Sequence, residues 1–402
     1  MTKSFARKLF GLAGFLAVGM ALVLVLNVGG WRARVIAKLM EVNNPPLVVP
    51  PPPEFKPHVP PGFRVNVFAR GFDQPRWMAT APNADTFVAD SYPGRIIVLQ
   101  DPNRQGQAEA RFTFAENLRQ PFGIAFHEDH VYIGDTDEVL RIRYDPRTSR
   151  ALGEREHILD LPGGGYRQHW TRTLAFSPDG FKLFVSIGSK WNEAIESDPR
   201  RAAIVVSDPD GKNAHIYASG LRNAVGIAFN PQSGELWAAV NERDQLGDDQ
   251  PEDYFTHVVE GGFYGWPYSF LGSHVDNRVS SRPDLVAKAL VPDLLLGAHV
   301  APLEFVFYEA HQFPSPYLHG AFIAEHGSWN RSVRVGYDVV FVPFKDGKPA
   351  GDPVPFFTGF VPNPGAREVY GRMVGVSVAA DGAVLVSDDG GRVIWRVWYS
   401  GG

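Results

Sequence analysis

Beyond residue 62 the hydrophobic positions fall in short runs that come in pairs. Residues 86–90 precede 95–99, 131–134 precede 139–144, and 182–186 precede 203–206. Residues 235–240 precede 256–259, 321–324 precede 337–342, and 383–387 precede 392–397. The runs are rich in Val, Ile, Phe, Tyr and Trp and are too short for helices, so each reads as a strand. Ahead of most pairs another apolar stretch ends in a turn signal. Residues 174–176 run into Ser177-Pro178-Asp179-Gly180, and residues 374–379 run into Ala380-Asp381-Gly382. Pro presets φ and Gly accepts positive φ, which tight turns require. One unit is therefore strand, turn, strand, loop, strand.

The pairs begin at residues 86, 131, 182, 235, 321 and 383. Antiparallel sheets repeated at such intervals point to a propeller, with one blade per unit. The long step after 235 implies an insertion near residues 271–300, and residues 64–68 supply a strand to close the ring. A pair of β-sandwiches is the competing architecture. No long amphipathic helix is legible after residue 62.

The first 62 residues follow another pattern. Lys3, Arg7 and Lys8 precede an uncharged apolar run over residues 10–28, and Trp31 follows it. A helix of that length spans about 30 Å, enough to cross a bilayer core. A cleaved secretory signal shares the basic start and apolar middle, but no small-x-small cleavage site follows here. Residues 43–62 are dense in proline, which favours polyproline II and reads as a semi-rigid spacer holding a domain off a membrane. The expected organisation is a membrane anchor or signal over 1–42, a Pro-rich linker over 43–62 and an all-β six-bladed β-propeller over 63–402. The propeller would then be membrane-anchored by the N-terminal helix and lie in the periplasm or outside the cell.

Composition narrows the chemistry. The chain has 402 residues, no cysteine and a net charge of −5. Without cysteine there are no disulfides, thiolate metal sites or thiol catalysis. The slightly acidic balance gives no reason to expect nucleic acid. No phosphate loop, dinucleotide fingerprint, Gly-x-Ser-x-Gly elbow or His-Glu-x-x-His motif is present.

Propeller sites gather on loops at one end of the channel, so polar residues beside strands carry the interest. His169 follows the glycine-rich residues 163–165, and an imidazole there could act as a base or be an ordinary loop histidine. Arg222-Asn223 suits a planar, charged ligand or ties blade loops together. Residues 241–249 form an acidic loop that reads as oxygen ligands for a hard cation or as a solvated turn. Residues 325–334 and Gly371-Arg372 add a further polar cluster, and Arg222, Arg334 and Arg372 could clamp a polyanion or be unrelated surface arginines.

Taken together, these loops resemble the glucose/sorbosone dehydrogenase family, soluble-type sugar dehydrogenases dependent on pyrroloquinoline quinone (PQQ) and built as six-bladed propellers. The resemblance runs from about residue 63 to 397. It rests on Gly220-Leu221-Arg222-Asn223, residues 226–229 and Gly261-Gly262-Phe263-Tyr264-Gly265-Trp266-Pro267. Residues 240–244 and His326-Gly327-Ser328-Trp329-Asn330-Arg331-Ser332 look closest to the L-sorbosone dehydrogenase-like branch. The resemblance implies His169 as general base, with hydride passing from substrate to quinone. It implies cofactor contacts from Arg222, Asn223, Arg334 and Arg372, with Gln120 matching a quinone-contacting glutamine at a two-residue offset. It implies Ca²⁺ on the backbone carbonyls of Arg243 and Asp244. This sequence departs from the glucose-oxidising members at Val374, where they carry another cofactor-binding arginine. It departs again at Ser189 or Lys190, where they carry a substrate-side aspartate. The implied substrate is an aldose or a sorbosone-like aldehyde or alcohol, with a quinone or cytochrome as electron acceptor. A non-catalytic binding propeller and a calcium-dependent lactonase-type hydrolase are the alternatives.

Overall fold

The computed structural model describes residues 41–163 and 169–401, together with Val35, Lys38 and Leu39. The apolar run over residues 10–28 and Trp31 lie outside the described residues, as do residues 164–168 of the approach to His169. Among the described residues, no helix is long and apolar enough to cross a membrane.

Six four-stranded antiparallel sheets stand around a common axis. Blade 1 comprises Pro75–Thr80, Thr86–Asp90, Arg95–Gln100 and Ala110–Ala115. Blade 2 comprises Ile124–His127, His130–Gly134, Glu138–Asp145 and Arg150–Asp160. Blade 3 comprises Leu174–Phe176, Leu183–Ile187, Ala203–Ser207 and His215–Ser219. Blade 4 comprises Ala224–Phe229, Leu236–Val240, Glu252–His257 and Leu294–Ala298. Blade 5 comprises Pro302–Phe307, Ala321–Glu325, Asp338–Val342 and Val354–Phe357. Blade 6 takes Met373–Val378, Val384–Asp388 and Val393–Tyr399 from the C-terminal end and Phe63–Arg70 as its outermost strand. The closing strand legible at residues 64–68 is thus real, and Phe63 pairs with Tyr399.

The order follows from burial. Second strands such as Thr86–Asp90, Leu236–Val240 and Val384–Asp388 are buried at every position, because neighbouring blades cover both faces. Outer strands such as Arg150–Asp160 are mostly exposed and correspondingly polar. Aromatic rings fill the seams between blades: Phe63 meets Phe313 edge-on at 4.8 Å between ring centroids, and Phe87 meets Phe126 at 5.0 Å. The Ser177-Pro178-Asp179-Gly180 turn closes on a Gly180 N–H to Ser177 carbonyl bond of 2.8 Å, with Gly180 at φ +77°.

Two features differ from the sequence reading. The third strand of blade 4 is Glu252–His257 rather than 256–259, and its outer strand is Leu294–Ala298. The insertion therefore occupies residues 258–293, carrying a hairpin of Ser269–Phe270 with His274–Val275 and a single helical turn at Pro283–Val286. The shift has a cause. Asp253 is a buried strand residue whose two carboxylate oxygens accept the N–H groups of Glu242 and Ala301, each at 2.8 Å. The second difference concerns residues 43–62, read as a semi-rigid spacer holding the domain off a membrane. They lie on the propeller. Leu47–Val48 pairs in parallel with Glu368–Val369, His58 bridges Thr358, and Phe55 packs edge-on against Phe360 and Tyr370.

Candidate active site

In a four-stranded blade, the start of the first strand, the end of the second and the start of the third lie at one end. Residues far apart in sequence therefore meet there, around a cavity of about 560 Å³. His169, Arg222, Asn223, Asp244 and Arg372 line it, joined by Gln74, Arg76, Glu242, Asp253, His326 and Asp389. Its volume falls in the range of small-molecule sites.

His169 is buried, and its Nδ1 lies 2.8 Å from the Ser189 carbonyl and 2.9 Å from the Ser189 hydroxyl. That hydroxyl donates to the Trp191 carbonyl at 2.6 Å, so both partners of Nδ1 are acceptors. The proton therefore sits on Nδ1 and the lone pair on Nε2. Burial, reinforced by the charge of Arg222, holds the imidazole pKa well below its usual value, and the ring is neutral at pH 7. Gly188 is required beside it: a Cβ there would stand 2.2 Å from Asn223 Oδ1 and 2.9 Å from the His169 Cβ.

Arg222 is fully engaged. Nε donates to the Asn192 carbonyl, Nη2 to Asn192 Oδ1 at 2.9 Å and Asp244 Oδ2 at 3.0 Å, and Nη1 to the carbonyls of Asn241 and Glu242. It offers a ligand its charge and planar face rather than its N–H donors. Beside it, Asn223 Oδ1 is buried with no hydrogen-bond partner among the described residues.

The opposite wall holds Arg76, His326, Asp389 and Arg372. Asp389 bonds Arg76 Nη1 at 2.5 Å and His326 Nε2 at 3.0 Å. Burial opposes ionisation of Asp389, but His326, Arg76 and Arg372 together hold its carboxyl well below the ordinary range. Burial and Arg372 push His326 down to about 4. Arg76 keeps a buried Nε with no partner among the described residues and lies over the Trp170 ring at 5.4 Å. The Arg372 guanidinium donates to the carbonyls of His326 and Gly327, and pairs with no carboxylate among the described residues. Asp388, at the end of a second strand, fixes the position of Arg372 by accepting its backbone N–H at 2.8 Å. Asp90 does the same for Gln74 at 2.6 Å, and Asp135 for Arg119 at 2.6 Å.

Three residues singled out from the sequence lie elsewhere. Gln120 is exposed, at φ +55° in the connection between blades 1 and 2, and the glutamine on the cavity wall is Gln74. Arg334 is buried behind the wall, donating to Ser328, Tyr337, Ala366, Asn44 and Pro45. The Arg243 side chain points under the inserted hairpin, where it pairs with Glu242 and Asp276 and donates to the carbonyls of Pro267 and Ser269. The Asp244 carbonyl, implied as a Ca²⁺ ligand, already accepts from Asn192 at 3.1 Å and Arg278 at 3.0 Å. Nearby, Glu242 Oε1 has no hydrogen-bond partner among the described residues, and the Glu242 side chain is fully buried against Arg243. Gln74, Arg76, Asn192 and Asp389 were missed. The one signal is positional: Gln74, Arg76 and Asp389 lie at strand ends, as Arg222 lies close to one, whereas Asn192 sits in the middle of a loop and carries no such signal.

Comparison with known proteins fits this arrangement. A family model described as TrAA12-like matches residues 57–253 and 277–397. The chain belongs to the TrAA12-like family. The break in the match falls on blade 4's third strand and the inserted hairpin. This TrAA12-like chain is 30% identical over 353 residues to an uncharacterised protein of Borreliella burgdorferi, covering 85% of this chain and 90% of the relative. It is 25% identical over 342 residues to a pyrroloquinoline quinone-dependent pyranose dehydrogenase of Coprinopsis cinerea, covering 73% of this chain but 46% of that longer protein. The calcium structure of a Trichoderma reesei enzyme of carbohydrate-active family AA12 superposes with a TM-score of 0.73 at 22% identity, covering 86% and 97% of the two chains.

Proposed function

We propose that this chain is a PQQ-dependent dehydrogenase that oxidises a hydroxyl or hydrated aldehyde group of a sugar or sugar-derived substrate. The observation that carries this is the neutral, oriented His169 sharing one cavity with two wall arginines, Arg76 and Arg372. The donor set fits a planar tricarboxylate. Arg76 and Arg372 line the cavity, Arg372 has no carboxylate within ion-pair distance among the described residues, and Arg222 contributes charge. When bound, PQQ supplies the two-electron acceptor and Ca²⁺ polarises its quinone oxygens. The Arg243 carbonyl, in the loop between the cavity-wall residues Glu242 and Asp244, would be a ligand for that ion.

The chain's own part is proton and position. His169 Nε2 takes the hydroxyl proton as hydride leaves the same substrate carbon, and the Ser189 carbonyl stabilises the imidazolium through Nδ1–H. Arg372 and Arg76 would orient the carboxylates of the bound cofactor, and Trp170, Pro45 and Pro46, which line the cavity, would exclude water. The apolar run over residues 10–28 supports an N-terminal membrane anchor with the propeller on the exported side. Extraction of the full chain by detergent but not by carbonate would support the anchor.

The test is a fluorescence titration of the full-length protein with PQQ and Ca²⁺, with dye reduction assayed over a panel of aldoses and aldehydes. Saturable binding with sugar-dependent dye reduction is the expected result. A folded protein that binds no PQQ overturns the proposal and favours a binding propeller.

A further inference from the structure

The residues ahead of the propeller form part of the site. Pro45 and Pro46 line the same cavity as His169, Arg222 and Arg372. They are held there by a dense set of bonds. The Asn44 N–H donates to the Trp329 carbonyl at 2.8 Å, and Asn44 Nδ2 to the Arg331 carbonyl at 3.0 Å. The Pro45 carbonyl accepts from Arg334 Nη2 at 3.3 Å and Arg367 Nε at 3.0 Å. Beyond it, Leu47 and Val49 donate to the Arg367 and Val369 carbonyls at 2.7 and 2.9 Å. Proline lacks an N–H and has fixed φ, so the segment gives up little entropy on seating and presents a stiff apolar wall. Arg334 is the clip. It is buried, and its guanidinium joins the Ser328 and Ala366 carbonyls to Asn44 Oδ1 and Pro45.

We infer that Asn44, Pro45 and Pro46 are specificity-determining residues: a fixed strap that limits the substrate to a single sugar ring or smaller and turns away chain-extended saccharides, with Arg334 as its positioning residue. This rests on the reading of the cavity as a PQQ site, because about 560 Å³ must then hold both cofactor and substrate. It also reassigns Arg334, which the sequence resemblance placed on the cofactor.

The experiment uses the full-length, PQQ-loaded protein and two variants, Asn44→Ala and the double change Pro45→Gly/Pro46→Gly. Neither touches the propeller core. For each, kcat/KM is measured on a monosaccharide and on its β-linked di- and trisaccharide, with a PQQ titration to establish loading. The expected result is a rise of about tenfold or more in the trisaccharide-to-monosaccharide ratio, the discrimination that a lost steric contact supplies. A variant that only loosened the fold would lower all three substrates together. An unchanged ratio in both loaded variants overturns the strap and leaves the quinoprotein reading standing. Absence of PQQ binding in the wild type overturns both.

Discussion

Replacing His169 with Gln tests the centre of the mechanism. Glutamine keeps a hydrogen-bonding side chain of similar reach toward Ser189 but cannot take a proton. A positioned general base contributes about 10²–10⁴-fold; at ~1.36 kcal/mol per decade this is ~2.7–5.4 kcal/mol of barrier. The whole of that effect is at stake near neutral pH. Burial and Arg222 hold the imidazole pKa well below 6.5, so nearly every molecule carries the base form at pH 7. The assay is sugar-dependent dye reduction by PQQ-loaded protein, with cofactor affinity measured separately by fluorescence. Kcat should fall with little change in PQQ binding, and the wild-type acid limb should have its midpoint below pH 6.5. Stability gives a second readout. Below pH 6.5 the unfolded chain takes up a proton that the folded chain resists, so wild-type stability declines as pH falls and the variant's declines less. A loaded variant within about tenfold of wild type, against the expected loss, would refute the assignment, as would an acid limb centred at or above neutrality.

Three further outcomes follow from other parts of the molecule. Arg372→Gln should weaken PQQ binding by about 10- to 150-fold, the effect of losing one charge-assisted hydrogen bond, as read by fluorescence titration. Asp276→Asn should lower stability by about 3–5 kcal/mol in chemical denaturation, because it leaves Arg243 and Arg278 buried without their shared carboxylate. Burial raises the Asp276 pKa, but Arg278 and Arg243 outweigh it and hold the carboxyl at about 2. Its contribution is therefore complete above about pH 4 and is lost as pH falls toward 2. Deleting residues 1–70 removes the outermost strand of blade 6 and exposes the Val393–Tyr399 edge, so size-exclusion chromatography should show aggregation in place of a monodisperse species.

The blades were legible because burial on both faces writes itself as unbroken apolar runs, as in Thr86–Asp90 and Val384–Asp388, and because Asp-Gly turns punctuate them. His169 and Arg222 were legible because loops before first strands converge in any propeller. Gln74 and Gln120 show where this stops. Both precede a first strand, but Gln74 has its N–H fixed by Asp90 and lines the cavity, while Gln120 adopts φ +55° and is exposed. The Arg76–Asp389 pair joins the first blade to the last, a contact no local pattern encodes. The strap was hidden for a different reason. Proline density signals an extended backbone, and an extended backbone reads the same whether it crosses solvent or lies against a wall.

The ring is closed by a strand made first and partners made last. During synthesis Phe63–Arg70 emerges early and waits, unpaired, until Val393–Tyr399 leaves the ribosome some 320 residues later. The cavity wall formed by Arg76 and Asp389 has the same timetable, since the two residues meet only near the end of synthesis. A nascent chain of five blades can hold His169 and Arg222 but has no completed pocket. A chain that ends before Asp389 therefore lacks one wall of the cavity, whatever its first five blades have assembled.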